Sequence, residues 1–344
     1  MSDTPTYEEL VRNALVQGDW PRVLILAQQW SQGPASGPRA FFALNVVHLI
    51  QGEFALAWQM HGRALESESD ITEVGEWVEE MKQGAPKESH IHLVEGLFLA
   101  QSGKSEQSPA SYQEAIRLNP KSAHPYFFLA QIQQRMGRHD QAIKSYREAV
   151  KQDPDNVAAR LNLGVAYQEQ GHLEMAIPQY REIIKLRPND TLGHSNLACA
   201  LIEQGKIEPA LVEYKRALEL NPKDAELHFA VAGVYDTKGR QDLALKEYEE
   251  AHRISPELAP AATAIGWIHF HKGRVDVALD YFSQALKVNP GDSEATFGVG
   301  RVYDVKRKPE MAADHYTKAL ELERDPSKKA TLMNYIDKAG GYQH

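Results

Sequence analysis

Leu161-Asn162-Leu163-Gly164-Val165-Ala166-Tyr167, followed at fixed distances by Gly171, Ala176, Tyr180 and Pro188, is the stretch on which the fold turns. Alone it is an apolar run ended by a glycine, then a second amphipathic run ended by a proline. Set against its flanks it is one period of a repeat. Pro120, Pro154, Pro188, Pro222, Pro256 and Pro290 lie 34 residues apart. Gly103, Gly137, Gly171, Gly205, Gly239 and Gly273 share that spacing, as do Tyr112, Tyr146, Tyr180, Tyr214, Tyr248, Phe282 and Tyr316. Three interlocked series with one period specify an array of like units.

Each series has a mechanical reason. The glycine supplies a left-handed turn after a first helix. The proline has no N–H for the next helical bond and closes a second helix. The aromatic packs the second helix on the first, and Ala142, Ala176, Ala210, Ala244, Ala278 and Ala312 fall where the two cross closely. Between glycine and proline the apolar residues recur at helical spacing, as in Ala142, Ile143, Tyr146, Ala149 and Val150.

These residues resemble the tetratricopeptide signature, in register from about Ser89 to Pro326 over seven repeats. The resemblance implies an all-α, right-handed superhelical solenoid of antiparallel helix pairs. Gly18 and Gly52 are also 34 apart, so residues 4–66 read as two degenerate repeats, about nine in all. Gly52 to Gly103 is 51 residues, one period and a half. The surplus, residues 67–88, reads as one unpaired helix. It would be capped by Asp70-Ile-Thr-Glu73 and ended by Gly84 and Pro86. Either it kinks the stack or it decorates a straight one. Residues 89–326 carry the seven repeats and 327–339 a helix that caps the open apolar edge. Arg307 stands where the last glycine is expected, Pro326 is displaced, and the tail from Gly340 to His344 is expected to fray.

Hydrophobic residues make up 42% and charged residues 25%, the balance of a folded chain. The net charge of −9 disfavours nucleic acid and anionic membranes as partners. The most charged stretch is acidic, with seven carboxylates and no cation between Glu66 and Glu80. No window is apolar for the length of a bilayer span, and the start has no apolar leader, so a cytoplasmic location is expected. One cysteine, Cys199, excludes an internal disulfide.

In the resembled family the first helices line a concave groove that holds protein segments. The inward positions are then the candidate partner-binding residues: Leu93, Leu97, Phe127, Gln131, Leu161, Asn162, Val165, Asn196, Phe229, Trp267, Phe270, Phe297 and Arg301, with Ser195, Cys199 and Thr263 beside them. Their apolar and aromatic character suits an extended or helical segment with several apolar side chains. For Phe127, Phe229 and Phe297, packing between repeats is an equal reading. Trp267 and Phe270 are the preferred anchors. On that footing Trp267→Ala with Phe270→Ala should weaken binding while melting stays nearly unchanged. Asn162 and Asn196 resemble the asparagine ladder of O-GlcNAc transferase superhelices, which grips peptide backbone. The ladder stops at Ala230, and a local hydrogen bond is the plainer reading. Glu226 and Ala230 stand where co-chaperones of the family carry carboxylate-holding groups, which disfavours that role.

Fourteen histidines raise a metal reading, but His90/His92 and His269/His271 are two apart and point to opposite helix sides. His194 and His228 sit where an aromatic residue is usual, and no His-Glu-x-x-His motif occurs. Cys199 lacks a basic neighbour, and no phosphate loop is present. The expectation is a non-enzymatic scaffold for a protein or peptide partner, without cofactor or metal. Two other classes stay open: a regulatory or substrate-recognition subunit of an enzyme complex, such as a glycosyltransferase or envelope-assembly machinery, and an architectural protein that associates with itself.

Overall fold

The computed structural model describes residues 5–33 and 36–340, apart from the side chains of residues 54, 339 and 340. The expected fraying past Gly340 falls on residues 341–344, outside the described residues. The chain divides into two compact units, Met1–Pro188 and Asn189–His344. Among the described residues the regular structure is entirely helical.

The first unit holds α1 (Tyr7–Gln17), α2 (Trp20–Gln32), α3 (Pro38–Gln51), α4 (Phe54–Ala64), α5 (Glu68–Gly84), α6 (Ser89–Gln101), α7 (Ser108–Leu118), α8 (Ala123–Arg135), α9 (His139–Gln152), α10 (Val157–Glu169) and α11 (Leu173–Leu186). Consecutive helices pair, with α5 left single between α4 and α6. Its cap sits three residues before the expected one. The Ser67 hydroxyl accepts the N–H of Asp70, and the Asp70 carboxylate accepts that of Ser67. Glu73 instead joins Arg39 at 3.1 Å. Ser67 wins because its hydroxyl and the Asp70 carboxylate satisfy both free donors of the first turn together.

The inserted helix brings α1 against α6, which successive pairs in a straight stack would not do. Trp20 meets His90 edge-on at 5.6 Å, Arg12 donates to the Glu80 carbonyl at 3.1 Å, and Arg39 also holds Glu8 at 2.6 Å. Trp30 lies edge-on to Trp77, which is fully buried. Helices α3 and α6 are consequently buried on nearly every side, from Ala40 to Val47 and from Ile91 to Phe98, apart from Glu95, which holds Lys82 at 2.6 Å.

The second unit is more regular. It contains α12 (Thr191–Glu203), α13 (Ile207–Leu220), α14 (Ala225–Thr237), α15 (Gln241–Ile254), α16 (Ala259–His271), α17 (Val275–Val288), α18 (Ser293–Val305), α19 (Pro309–Leu322) and α20 (Pro326–Gly340). Each first helix from α12 to α18 is joined to its second by a residue in the left-handed region. That residue is Gly205, Gly239 and Gly273 in turn, then Arg307 at φ 55°. Asp190, Asp224 and Asp292 cap α12, α14 and α18 by accepting backbone N–H groups. The buried aromatics Tyr214, Tyr248, Phe282 and Tyr316 form the spine between helices of a pair. Phe282 is gripped from two sides: a Cβ on Gly266 would stand 2.6 Å from its ring and one on Gly298 2.5 Å. Outside, Lys238–Glu208, Lys272–Asp242 and Lys306–Asp276 tie each pair to the next.

Candidate functional site

In the first unit the expected groove positions do not make one open wall. Leu93 and Leu97 are buried, at 1% and 2% exposure, inside the bundle that α1, α5 and α6 close. Both side chains are packed into the core there. Phe127 is buried too, 5.2 Å from Phe128 and 6.1 Å from Tyr146. Gln131, Leu161, Asn162 and Val165 remain half-buried.

The second unit brings its expected residues together. Trp267 on α16 stands at the centre, 5.7 Å from Phe270 and 5.7 Å from Phe297, with its face turned toward the ring of His271 at 5.9 Å. Phe297 continues to Tyr335 on α20 at 5.2 Å. The Arg301 guanidinium lies over Tyr335 at 4.8 Å and Phe270 at 5.3 Å, and its Nη1 donates to the Tyr335 hydroxyl at 3.0 Å. Among the described residues no carboxylate pairs with Arg301, and its Nε and the Trp267 Nε1 are buried donors without an acceptor. On α14, Phe229 leans on Tyr248 at 5.4 Å.

These side chains form a half-buried surface with two openings. One, of about 220 Å³, lies between α18 and α20 beside Phe297 and Leu332. The other, of about 770 Å³, runs from Phe229 past Trp267 to the start of α18. Trp267 and Phe270 also pack on the core cluster around Phe282. Removing both side chains should therefore cost stability. Tyr335 was missed among the groove residues. Its signal was its place 34 residues after Arg301.

The remaining candidates are engaged locally. Asn196 donates to the Leu192 carbonyl of its own helix at 2.8 Å, and Cys199 Sγ is 2.9 Å from the Tyr214 hydroxyl. Ser195 donates to the Leu192 carbonyl at 3.2 Å, and buried Thr263 donates to Asp292 at 2.8 Å. His194 and His228 hold Glu213 and Glu247 at 2.6 and 2.7 Å. His269 stacks on Tyr281 at 5.8 Å, and burial lowers its pKa from the usual value. Among the described residues no group of three or more His, Cys, Asp or Glu is placed to hold a metal ion, and no helix is long and apolar enough to cross a membrane.

Comparison with known proteins follows the same lines. Profiles described as tetratricopeptide repeat match residues 157–190 and 263–328, and one described as TPR repeat matches 135–171 and 199–239. Among solved structures, a tetratricopeptide repeat protein from Parabacteroides merdae is 17% identical, covering 72% of this chain and 98% of its own, with a TM-score of 0.57. Yeast Tom70 is 14% identical, covering 98% of this chain and 88% of its own, with a TM-score of 0.54. MamA is 28% identical over 48% of this chain and 97% of its own, with a TM-score of 0.44. The first two show likeness of fold. No curated protein matches the sequence.

Proposed function

The chain is a tetratricopeptide-repeat protein, and from that premise we propose that it is a non-enzymatic scaffold whose second unit holds a segment of a partner protein on its inward face. Proteins of this family generally serve as protein-interaction scaffolds. The observation that carries the reading is the contiguous aromatic surface of Trp267, Phe270, Phe297 and Tyr335, beside a cavity of about 770 Å³ that Trp267 lines with Phe229 and one of about 220 Å³ that it lines with Phe297. A surface of this size and character is commonly a site of recognition. Arg301 and Trp267 are of the residue types that anchor interfaces, and each offers a donor that no described acceptor satisfies.

The test fills the groove instead of stripping its walls. Ala264 is half-buried and lines the larger cavity, so Ala264→Arg obstructs it without deleting a core contact. Peptides selected from a displayed random library on the full chain should lose binding to this variant, with circular dichroism and melting retained. Unchanged affinity of every selected peptide would refute the reading.

A further inference from the structure

The larger cavity carries a charge asymmetry that bears on what it accepts. Its walls are aromatic, with Phe229 against Tyr248 at 5.4 Å and Trp267 from the next first helix. Two carboxylates reach it, Asp236 near the end of α14 and Glu294 in the first turn of α18; both are exposed. Neither has a cationic partner among the described residues. The third carboxylate is already engaged: Asp292 accepts the N–H groups of Glu294 and Ala295 at 3.0 and 2.9 Å and the Thr263 hydroxyl at 2.8 Å. No lysine or arginine lines the cavity, and its single imidazole, His271, is turned onto Trp267. The Tyr248 hydroxyl registers this field. Burial first, then Asp236 and Glu294, push its pKa up to about 12. Tyr146 and Tyr180, at the same repeat position, instead give their hydroxyls to the neutral amides of Gln134 and Gln168.

An anionic or wholly apolar segment laid here would remove two carboxylates from water with nothing to compensate them. A cation would gain the half-buried rings of Phe229 and Trp267 and the two charges at once. We propose that this cavity receives a lysine or arginine side chain of the partner segment. The proposal rests on the scaffold reading and adds to it a required charge at one position of the ligand.

The experiment uses the full chain and the displayed random-peptide library. Selected peptides should carry a lysine or arginine beside apolar residues. Replacing that residue by norleucine in the tightest peptide should weaken binding about tenfold. The variant Asp236→Asn with Glu294→Gln, whose melting is checked against the parent, should erase the difference between the two peptides, as a double-mutant cycle requires. Should that pair fail to fold, each single substitution serves and should erase part of it. Equal binding of the norleucine peptide to the parent chain, or a preference that survives neutralisation of both carboxylates, overturns the proposal. If Ala264→Arg still blocks those peptides, the scaffold reading stands and the cation site alone falls. A library yielding no enriched peptide overturns both.

Discussion

Arg301 Nη1 donates to the Tyr335 hydroxyl at 3.0 Å, and the two residues are 34 apart, one repeat period. Trp267 precedes Arg301 by the same interval. Helix α20 thus occupies the place of a further first helix and presents Tyr335 as another rung of the inward face. It was expected to cover an apolar edge, and it also extends the surface. Tyr335→Phe removes one hydrogen bond to a charged group and should cost about 1.5–3 kcal/mol. Tyr335→Ala, which also abandons the rings of Phe297 and Tyr316 at 5.2 and 5.4 Å, should cost more. Urea denaturation measures both, and equal stability of Tyr335→Ala and the parent would show α20 to be dispensable.

Phe282 leaves no room beside it. A Cβ at residue 298 would come within 2.5 Å of its ring, and the ring is fully buried with Trp267 5.2 Å away on another side. Gly298→Val should therefore destabilise the second unit by roughly 1–3 kcal/mol or more through overpacking. The same change at exposed Gly291, outside the helix pair, provides the control. Thermal melting with a smaller loss at Gly298 than at Gly291 would contradict the packing assigned to Phe282.

Leu93 and Leu97 discriminate a core role from a contact role. Buried as they are, Leu93→Ala and Leu97→Ala should each cost about 2–5 kcal/mol. Contact residues on a free wall would lose binding and keep stability. Chemical denaturation of the two variants separates these outcomes.

Acid should loosen the first unit. His90 on α6 and His124 on α8 both have pKa values lowered from 6.5, by burial first, and the His90 charge further disfavours that of His124. Glu88 and Asp153 oppose the effect without reversing it. A depressed folded pKa means the neutral imidazoles stabilise the fold above 6.5, and the contribution is lost as pH falls through the folded values. Alkali acts oppositely on Tyr248, whose raised pKa stabilises the fold below 10.0 and is lost as pH rises toward about 12. Urea midpoints followed down to about pH 5 should fall, and His124→Gln should flatten the slope.

The repeat was legible because glycine, proline and aromatic each mark a distinct mechanical point of one 34-residue unit. Helix order followed from it, including the single helix between Gly52 and Gly103. The closure of the first unit was not legible. It depends on Arg12 reaching Glu80 and Trp20 reaching His90, contacts about 70 residues apart that leave no local pattern. In the second unit helical phase alone places Trp267, Phe270, Phe297 and Arg301 near one another, as their contacts in space do. Tyr335 escaped because displaced Pro326 disguised the register. Asp236 and Glu294 escaped because a charge on a helix reads as a solvated one until its neighbours in space are known.

One measurement bears most directly on the inward face as the binding surface. A photoreactive benzoylphenylalanine is placed at residue 241, an exposed glutamine that lines the larger cavity, and separately at residue 246, an exposed lysine on α15 outside it. Each protein is irradiated with the same selected peptide. The account predicts a covalent adduct from position 241 and none from position 246. Adducts from position 246 with none from 241 would contradict it.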